Sequence, residues 1–202
     1  GNTSKNSGLI SPGIITDGLV LKHYYNAAPA ALVSDGAAYL DGTDDYITMG
    51  DVTGLDSSAT ASFAFWIMPL SANTIPIITK GAYNNASAAF HIQLASDRLS
   101  LSVADRFDYK NNMGMTVNQW HHIAMTYSNT ADETKIYLNG ANVGAMDATG
   151  GTYGDITNTN DDALLIGRNT PSGSTYGDMY ICNVGIWSSV LTLAQIKSIM
   201  LK

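Results

Sequence analysis

Apolar and polar residues alternate along much of the chain, and this two-residue period constrains the fold more than any other feature of the sequence. Residues 89–103, AFHIQLASDRLSLSV, show it most clearly. The large apolar residues occupy even positions before Ser96-Asp97 and odd positions after it. Because successive side chains of a β-strand point to opposite faces, the segment predicts a hairpin with one apolar and one polar face.

Two other segments indicate how the strands are covered and connected. Residues 62–70, SFAFWIMPL, are apolar at almost every position, which predicts a central strand covered on both faces. Asn139-Gly140 separates two short strand-like runs, and this dipeptide favours a type I′ turn. Further strands are predicted at residues 19–24, 37–40, 46–49, 121–127, 162–168 and 179–187.

The period changes near the C-terminus. Leu193, Ile196 and Met200 recur at helical spacing, and Thr192 with Gln195 three positions later predicts a capping box. About a dozen short strands and one short helix predict an all-β fold, a two-sheet antiparallel jelly-roll sandwich that spans residues 14–202. Residues 1–13 are small, polar and rich in helix and strand breakers, which predicts an N-terminal arm.

Composition excludes several classes of partner. Charged residues make up 13% of the chain and the net charge is −7. Nucleic acid is therefore not an expected partner, because phosphate binding requires clustered Lys and Arg. No apolar run reaches about 18 residues, so no membrane span is expected. The single cysteine, Cys182, excludes an internal disulfide and is predicted to be a buried, inert thiol.

The number and positions of the carboxylates limit which catalytic mechanisms are possible. Glycoside hydrolysis requires two carboxyl groups that flank the scissile bond. The chain has one glutamate, Glu133, and the adjacent Asp44 and Asp45 would face opposite ways on a strand. His121 and His122 are also adjacent, which keeps them from converging on one metal ion. We therefore expect a protein that is not an enzyme, with a glycoside-active enzyme as the least favoured alternative.

Aspartates in predicted turns form a candidate calcium site. Asp41, Asp44 and Asp45 in DGTDD offer hard oxygen ligands, and Asp178 beside Gly177 is a further candidate. Residues 160–162 offer a second set, and neither set matches an EF-hand loop. The alternative, which is somewhat favoured, is that these aspartates are turn and capping residues.

Tyrosine is over-represented, with 11 tyrosines against 4 phenylalanines. Exposed aromatic rings present an apolar face to the C–H groups of a sugar, and nearby polar groups take its hydroxyls. Tyrosine also suits packed surfaces and protein interfaces, so each candidate has that alternative. The candidate ligand-binding residues lie in predicted loops and are Tyr83, Asn84, Asn85, Tyr109, Tyr153 and Tyr176.

Several segments, in order, resemble the laminin-G-like, concanavalin A-like jelly-roll domains over roughly residues 36–200. They are YLDGTDDYITMG, SFAFWIMPL, WHHIAMTYSNTADETKIYLNG, ALLIGR and GDMYICNVGIWSSVLTLAQI. The resemblance implies a binding module in which Trp120 closes the edge of the sandwich and His122 finds a hydrogen-bond partner. It also implies calcium at the aspartates, although Cys182-Asn183 stand where the family often has acidic residues.

The lead-in SPGIITDGLVLKHYYN is similar to segments that precede such domains in bacteriophage structural proteins. The first functional hypothesis is a non-catalytic module that recognises a glycan or cell-surface ligand. The second is a capsid or tail decoration protein of a virion, in which the sandwich is a protein–protein scaffold. The expected partners are a host-surface polysaccharide, capsid or tail proteins at the arm, and a second copy of the chain. The expected location is extracellular or the virion surface.

Overall fold

The computed structural model describes residues 19–23, 36–81, 89–103, 106–130, 134–144, 146–152, 154–157, 162–170 and 173–201. The strands in chain order are β1 Leu19–His23, β2 Ala38–Asp41, β3 Ile47–Thr48, β4 Ser57–Ser58, β5 Thr60–Pro69, β6 Thr74–Lys80, β7 Phe90–Ala95 and β8 Arg98–Val103. They continue with β9 Arg106–Lys110, β10 His121–Ser128, β11 Lys135–Leu138, β12 Ala141–Asn142, β13 Ala148–Gly150, β14 Ile156–Thr157, β15 Leu164–Ile166 and β16 Asp178–Trp187. A 3₁₀ turn spans Thr53–Leu55, and the α-helix α1 spans Leu193–Met200.

Two antiparallel sheets form a sandwich, as predicted. The first has the order β1-β16-β5-β10-β11-β12, with β2 also paired to β16. The second has the order β13-β9-β8-β7-β6-β15-β3, and β14 with β4 makes a small separate pair. Neighbours in the sheets are often distant in the chain, which is typical of a jelly roll rather than a meander.

The core lies between the two sheets. It takes Phe63, Phe65 and Ile67 from β5, and it takes the alternating apolar residues of the hairpin β7–β8 from the opposite sheet. Phe63 meets Phe90 across the gap, with ring centroids 4.8 Å apart. These side chains are fully buried, so the two-residue period identified the inner face correctly.

The outer face of the first sheet is half covered. Helix α1 packs there through Ile196, in a small apolar cluster with Trp187 and Leu191. The capping box at Thr192 and Gln195 is present as predicted. The predicted turn is confirmed as well, because Asn139 and Gly140 both have positive φ, at 50° and 75°. The helix leaves the part of this face nearest to the start of β16 uncovered.

Two predictions about single side chains are wrong. Cys182 is half-buried rather than buried, because it lies on the outer face of β16 opposite Trp66. His122 is buried, yet its Nδ1 has no hydrogen-bond partner among the described residues. It packs edge-on against Trp66 instead, with ring centroids 5.4 Å apart. The predicted N-terminal arm, residues 1–13, lies outside the described residues.

Candidate functional site

Four strands of the first sheet reach the same end of the sandwich. Strand β2 ends there at Asp41, β5 ends at Pro69, β16 begins at Asp178 and β10 begins at His121. The antiparallel register brings these strand ends together, because Asp41 pairs with Asp178 and Ile67 pairs with His121. We call this the acidic end of the molecule, after Asp41, Asp44, Asp45 and Asp178.

Aromatic rings line the outer face of the sheet next to the acidic end. Tyr39 pairs with Tyr180, and Tyr180 pairs with Met68 on the next strand. Trp120 directly precedes the pair His121–Ile67, so it lies beside Met68. We call Tyr39, Tyr180, Met68 and Trp120 the aromatic row.

The rings of the aromatic row contact one another and remain accessible. Tyr39 and Tyr180 are stacked, with centroids 4.9 Å apart, and Trp120 lies 6.5 Å from Tyr180. Tyr39 is 53% exposed, whereas Tyr180 and Trp120 are half-buried. The row therefore offers a broad apolar surface on the rigid backbone of a central sheet. Trp120 contributes to this surface, and its predicted role in closing the sandwich edge stays a prediction.

Three carboxylates converge in the loop that follows β2. Oxygens of Asp41, Asp44 and Asp45 lie within 4.8 Å of one another, and all three side chains are exposed. The loop turns at Gly42, where φ is +74° and a Cβ would lie 2.8 Å from that of Asp178. Glycine is therefore required for the loop to lie close against the first residue of β16.

An arginine fixes the neighbouring loop. The guanidinium of Arg168 lies over two neighbouring rings, 4.7 Å from the centroid of Tyr46 and 5.3 Å from that of Tyr176. Its Nε and Nη2 both donate to the carbonyl of Gly173, at 3.1 and 3.0 Å. These contacts hold Tyr46, which is 42% exposed, next to the carboxylates.

The acidic end is negatively charged. None of the ion pairs between described residues includes Asp41, Asp44, Asp45 or Asp178. Partial burial, followed by the charges of Asp178 and Asp41, raises the pKa of Tyr39 above its ordinary value. The Tyr39 hydroxyl is therefore protonated at neutral pH and available as a hydrogen-bond donor.

The structure brings together five of the candidate residues from the sequence. Tyr176 lies beside Tyr46 and precedes Asp178 by two residues, next to the three converging aspartates. Tyr109 is separate, because it lies on β9 of the second sheet, half-buried against Phe107 and under Arg98. Four candidates lie outside the described residues, namely Tyr83, Asn84, Asn85 and Tyr153.

Sequence reasoning missed most of the aromatic row. Tyr39 and Tyr180 each precede a buried residue, Leu40 and Ile181, so alternation indicates that they face outward. Nothing in the one-dimensional pattern shows that β2 and β16 are neighbours, because 140 residues separate the two tyrosines. The sequence predicted Trp120 only as a residue at the edge of a structural strand, and not as part of an exposed surface.

The loop carboxylates fit a hard cation in part. Asp41, Asp44 and Asp45 supply oxygen atoms, which calcium prefers, and Asp178 lies close by. One oxygen of Asp41 already accepts a hydrogen bond from the Thr43 backbone at 2.8 Å. The exposed position leaves room for the water ligands that calcium also takes.

A comparison with protein families addresses the fold. Residues 41–197 match the model of a laminin-G-type family in the concanavalin A-like lectin/glucanases superfamily. The chain belongs to this superfamily. No curated protein sequence matches the chain.

Solved structures share the fold of this laminin-G-type domain at low sequence identity. A heptameric SAP-like pentraxin from Limulus polyphemus is 19% identical, with a TM-score of 0.60 over 79% of this chain and 78% of that chain. Domain 4 of an extracellular arabinanase from Geobacillus stearothermophilus, solved with arabinotriose, is 20% identical, with a TM-score of 0.60 over 89% and 81%.

The ligand-binding domain of botulinum neurotoxin serotype D, solved with N-acetylneuraminic acid, is 13% identical. Its TM-score is 0.60 over 90% of this chain and 45% of that chain. At these identities the likeness shows the fold alone, and the superfamily includes both lectins and enzyme domains. Among the described residues, no helix is long and apolar enough to cross a membrane.

Proposed function

We propose that this laminin-G-type domain is a non-catalytic glycan-binding module whose site is the aromatic row together with the acidic end. The observation that carries the proposal is the position of three aromatic side chains on one open sheet face, directly beside four carboxylates. Ring faces of this kind pack against the C–H groups of a sugar, and carboxylates accept hydrogen bonds from its hydroxyls. The glycan complexes of two structural neighbours are consistent with this ligand class.

The charge of the site favours neutral or amino-bearing sugars over acidic ones. Among the described residues, this end has four carboxylates and the guanidinium of Arg168, which lies over two rings and donates to Gly173. A carboxylate or sulfate on the glycan would meet like charge at short range. We therefore expect that this domain does not bind N-acetylneuraminic acid, the ligand in the neurotoxin complex.

Calcium is an accessory part of the proposal. Asp41, Asp44 and Asp45 would hold the ion, with Asp178 as a fourth oxygen donor. Bound calcium would hold the loop in place and accept sugar hydroxyls as ligands. It would offset part of the charge of four carboxylates and not all of it, so the preference against acidic glycans remains.

Catalysis is not part of the proposal. The three converging carboxylates are all exposed on one loop, whereas a glycosidase places an acid of raised pKa in a less polar pocket, with a second carboxylate across the scissile bond. The sequence has one glutamate, Glu133, which lies outside the described residues. A hydrolase of this fold would need a carboxyl pair across a cleft, and the aromatic row lies on an outer sheet face instead.

The test is a glycan array probed with the purified protein in calcium and again in EDTA. We expect reproducible binding to neutral glycans, no binding to sialylated or sulfated glycans, and weaker binding in EDTA. Equal binding with and without EDTA, together with an unchanged melting temperature, would remove calcium from the proposal and leave the aromatic row.

A blank array in both buffers would contradict the glycan proposal itself. In that case the scaffold hypothesis, in which the sandwich decorates a capsid or tail, becomes the better one. Deletion of residues 1–13 addresses it separately, because loss of particle assembly by a folded protein would support an anchoring arm. We propose an extracellular or virion-surface location on the same basis, since surface glycans are encountered there.

A further inference from the structure

A pocket opens at the acidic end, on the other side of the β5 terminus from the aromatic row. Three loops line it, at residues 69–72, 96–97 and 115–117, and its volume is about 330 Å³. Small-molecule sites generally have volumes of about 300–1,000 Å³, so this pocket has room for a ligand near the size of one sugar ring. We call it the end pocket.

The walls of the end pocket are held in place by hydrogen bonds between the loops. The Asp97 carboxylate accepts from the backbone N–H groups of Gly114 and Met115, at 3.1 and 2.8 Å. Ser96 Oγ donates to the Ala72 carbonyl at 3.1 Å, which joins the first loop to the second. A ligand therefore enters a preformed site and does not have to order the loops first.

One wall group has no partner within the described residues. Ser71 Oγ is buried and makes no hydrogen bond there. A buried hydroxyl without a partner is unfavourable, and rotation of the Ser71 side chain towards the pocket would let a ligand hydroxyl satisfy it. The remaining lining is largely apolar, with Pro69, Met115 and Val117 among its residues. Four polar residues, Ser71, Ser96, Asp97 and Thr116, complete the lining, and a few polar groups among apolar walls are usual for a small-ligand site.

Two chain segments connect the end pocket with the aromatic row. Pro69 in the pocket wall follows Met68 in the row, and Val117 precedes Trp120 by three residues. Three residues span at most about 10 Å. The backbone N–H of Leu70 also donates to the Asp178 carbonyl at 3.0 Å, so the β5 terminus is fixed to the acidic end.

We propose that the end pocket binds the terminal ring of a neutral oligosaccharide whose following residues stack on the aromatic row. This inference rests on the proposed glycan-binding function and makes it more specific, because it sets a minimum ligand length. The protein then recognises the end of a glycan chain rather than its interior. Val117, which lines the pocket and is 43% exposed, lies on the segment that leads to Trp120.

The experiment measures affinity against glycan length. The probes are linear arabinan, xylan, mannan, galactan and β-glucan oligosaccharides of one to five residues, tested first on an array and then by calorimetry. For the series that binds, we expect affinity to rise up to about three residues and then level off. The variant Ala72→Leu places a larger side chain in the pocket from an exposed loop position. Asn73→Leu is the matched control, because it adds the same side chain to the next exposed position, which does not line the pocket.

We expect Ala72→Leu to lower the affinity for trisaccharides and longer chains about tenfold, with unchanged affinity for disaccharides. Ser71→Ala, which removes only the buried hydroxyl, should act in the same direction with a smaller effect. If both variants and the control bind every length like the wild-type protein, the end pocket is not a subsite, and binding on the aromatic row stands. If the wild-type protein binds none of the probes, the proposed function fails and the end pocket with it.

Discussion

The two ends of the sandwich use carboxylates in opposite ways. At the far end, Lys80 is 0% exposed, and its ammonium contacts Asp51 at 2.7 Å and Asp56 at 2.9 Å. At the acidic end, Asp41, Asp44 and Asp45 crowd together on an exposed loop, with no ion pair among the described residues. Like charges held close together cost stability, whereas paired charges at a buried position hold a loop against the sheet.

The carboxylates at the far end are paired and stabilise the fold, whereas those at the acidic end are free to contact a ligand. Lys80 also donates to the Val52 carbonyl at 2.7 Å, so it fixes both ends of the short loop before β4. Asp108 is buried and paired with Arg106 at 2.8 Å in the same part of the molecule. The exposed aromatic rings of Tyr39 and Tyr46 lie beside the unpaired carboxylates instead. Exposed rings and unpaired charges occur together at the acidic end, which is why we propose the binding site there.

The largest expected effect is on stability at the far end. Lys80→Met removes the cation from Asp51 and Asp56, and we expect a loss of about 3–5 kcal/mol in the free energy of unfolding. Lys110→Met is the control, because the Lys110–Asp147 pair is more exposed and should contribute at most about 1 kcal/mol. Urea denaturation measures both. Equal losses would show that the buried pairs do not distinguish the far end.

Acid should lower the free energy of unfolding, because each of the two sheets holds a buried histidine. Burial lowers the pKa of His91 and that of His122 to about 4, against 6.5 for an ordinary histidine. The unfolded chain therefore binds protons first, and stability should fall as the pH drops from 6.5 to 4. The loss is about 3 kcal/mol for each histidine.

Urea denaturation at several pH values tests this, with His122→Phe as the variant. It should remove about half of the slope between pH 6.5 and 4. A wild-type stability that is flat over this window would show that neither ring is held neutral by burial.

A smaller effect is expected on binding at the aromatic row. Tyr180→Ala removes the central ring between Tyr39 and Trp120, and we expect about tenfold weaker glycan binding, equal to about 1.4 kcal/mol. Tyr109→Ala is the matched control on the opposite sheet, and its affinity should equal that of the wild-type protein. Calorimetry with an array-positive glycan measures both, and an equal loss in the two variants would place the site elsewhere.

The smallest expected effect is the change in stability when one exposed carboxylate of the acidic end is neutralised. Asp44→Asn relieves repulsion in an exposed cluster, so the free energy of unfolding should change by no more than about 0.5 kcal/mol. Asp51→Asn takes one of two anionic partners from a buried ammonium and should destabilise the protein by about 1–3 kcal/mol. Thermal denaturation of the pair in EDTA checks this without a contribution from calcium. A larger loss for Asp44→Asn would mean that the acidic loop is structural.

Local patterns predicted most of the architecture. Alternation identified the inner residues of β5, β7 and β8, and the capping box at Thr192 placed the start of α1. The predictions for Cys182 and His122 failed for a shared reason. Both lie on the outer face of the first sheet, and how far that face is covered depends on where α1 packs. A strand's own sequence does not contain this information.

The candidate site also has parts that depend on local sequence and parts that depend on the tertiary structure. The sequence by itself determined most of the strands, the helix, the turn at Asn139-Gly140 and the three clustered aspartates, because each depends on residues within a few positions of one another. The tertiary structure alone decided that Tyr39, Tyr180 and Trp120 form one surface. Sheet neighbours come from segments far apart in the chain, and their pairing is set by how the two sheets pack. A binding surface built across strands is therefore visible only after the chain has folded.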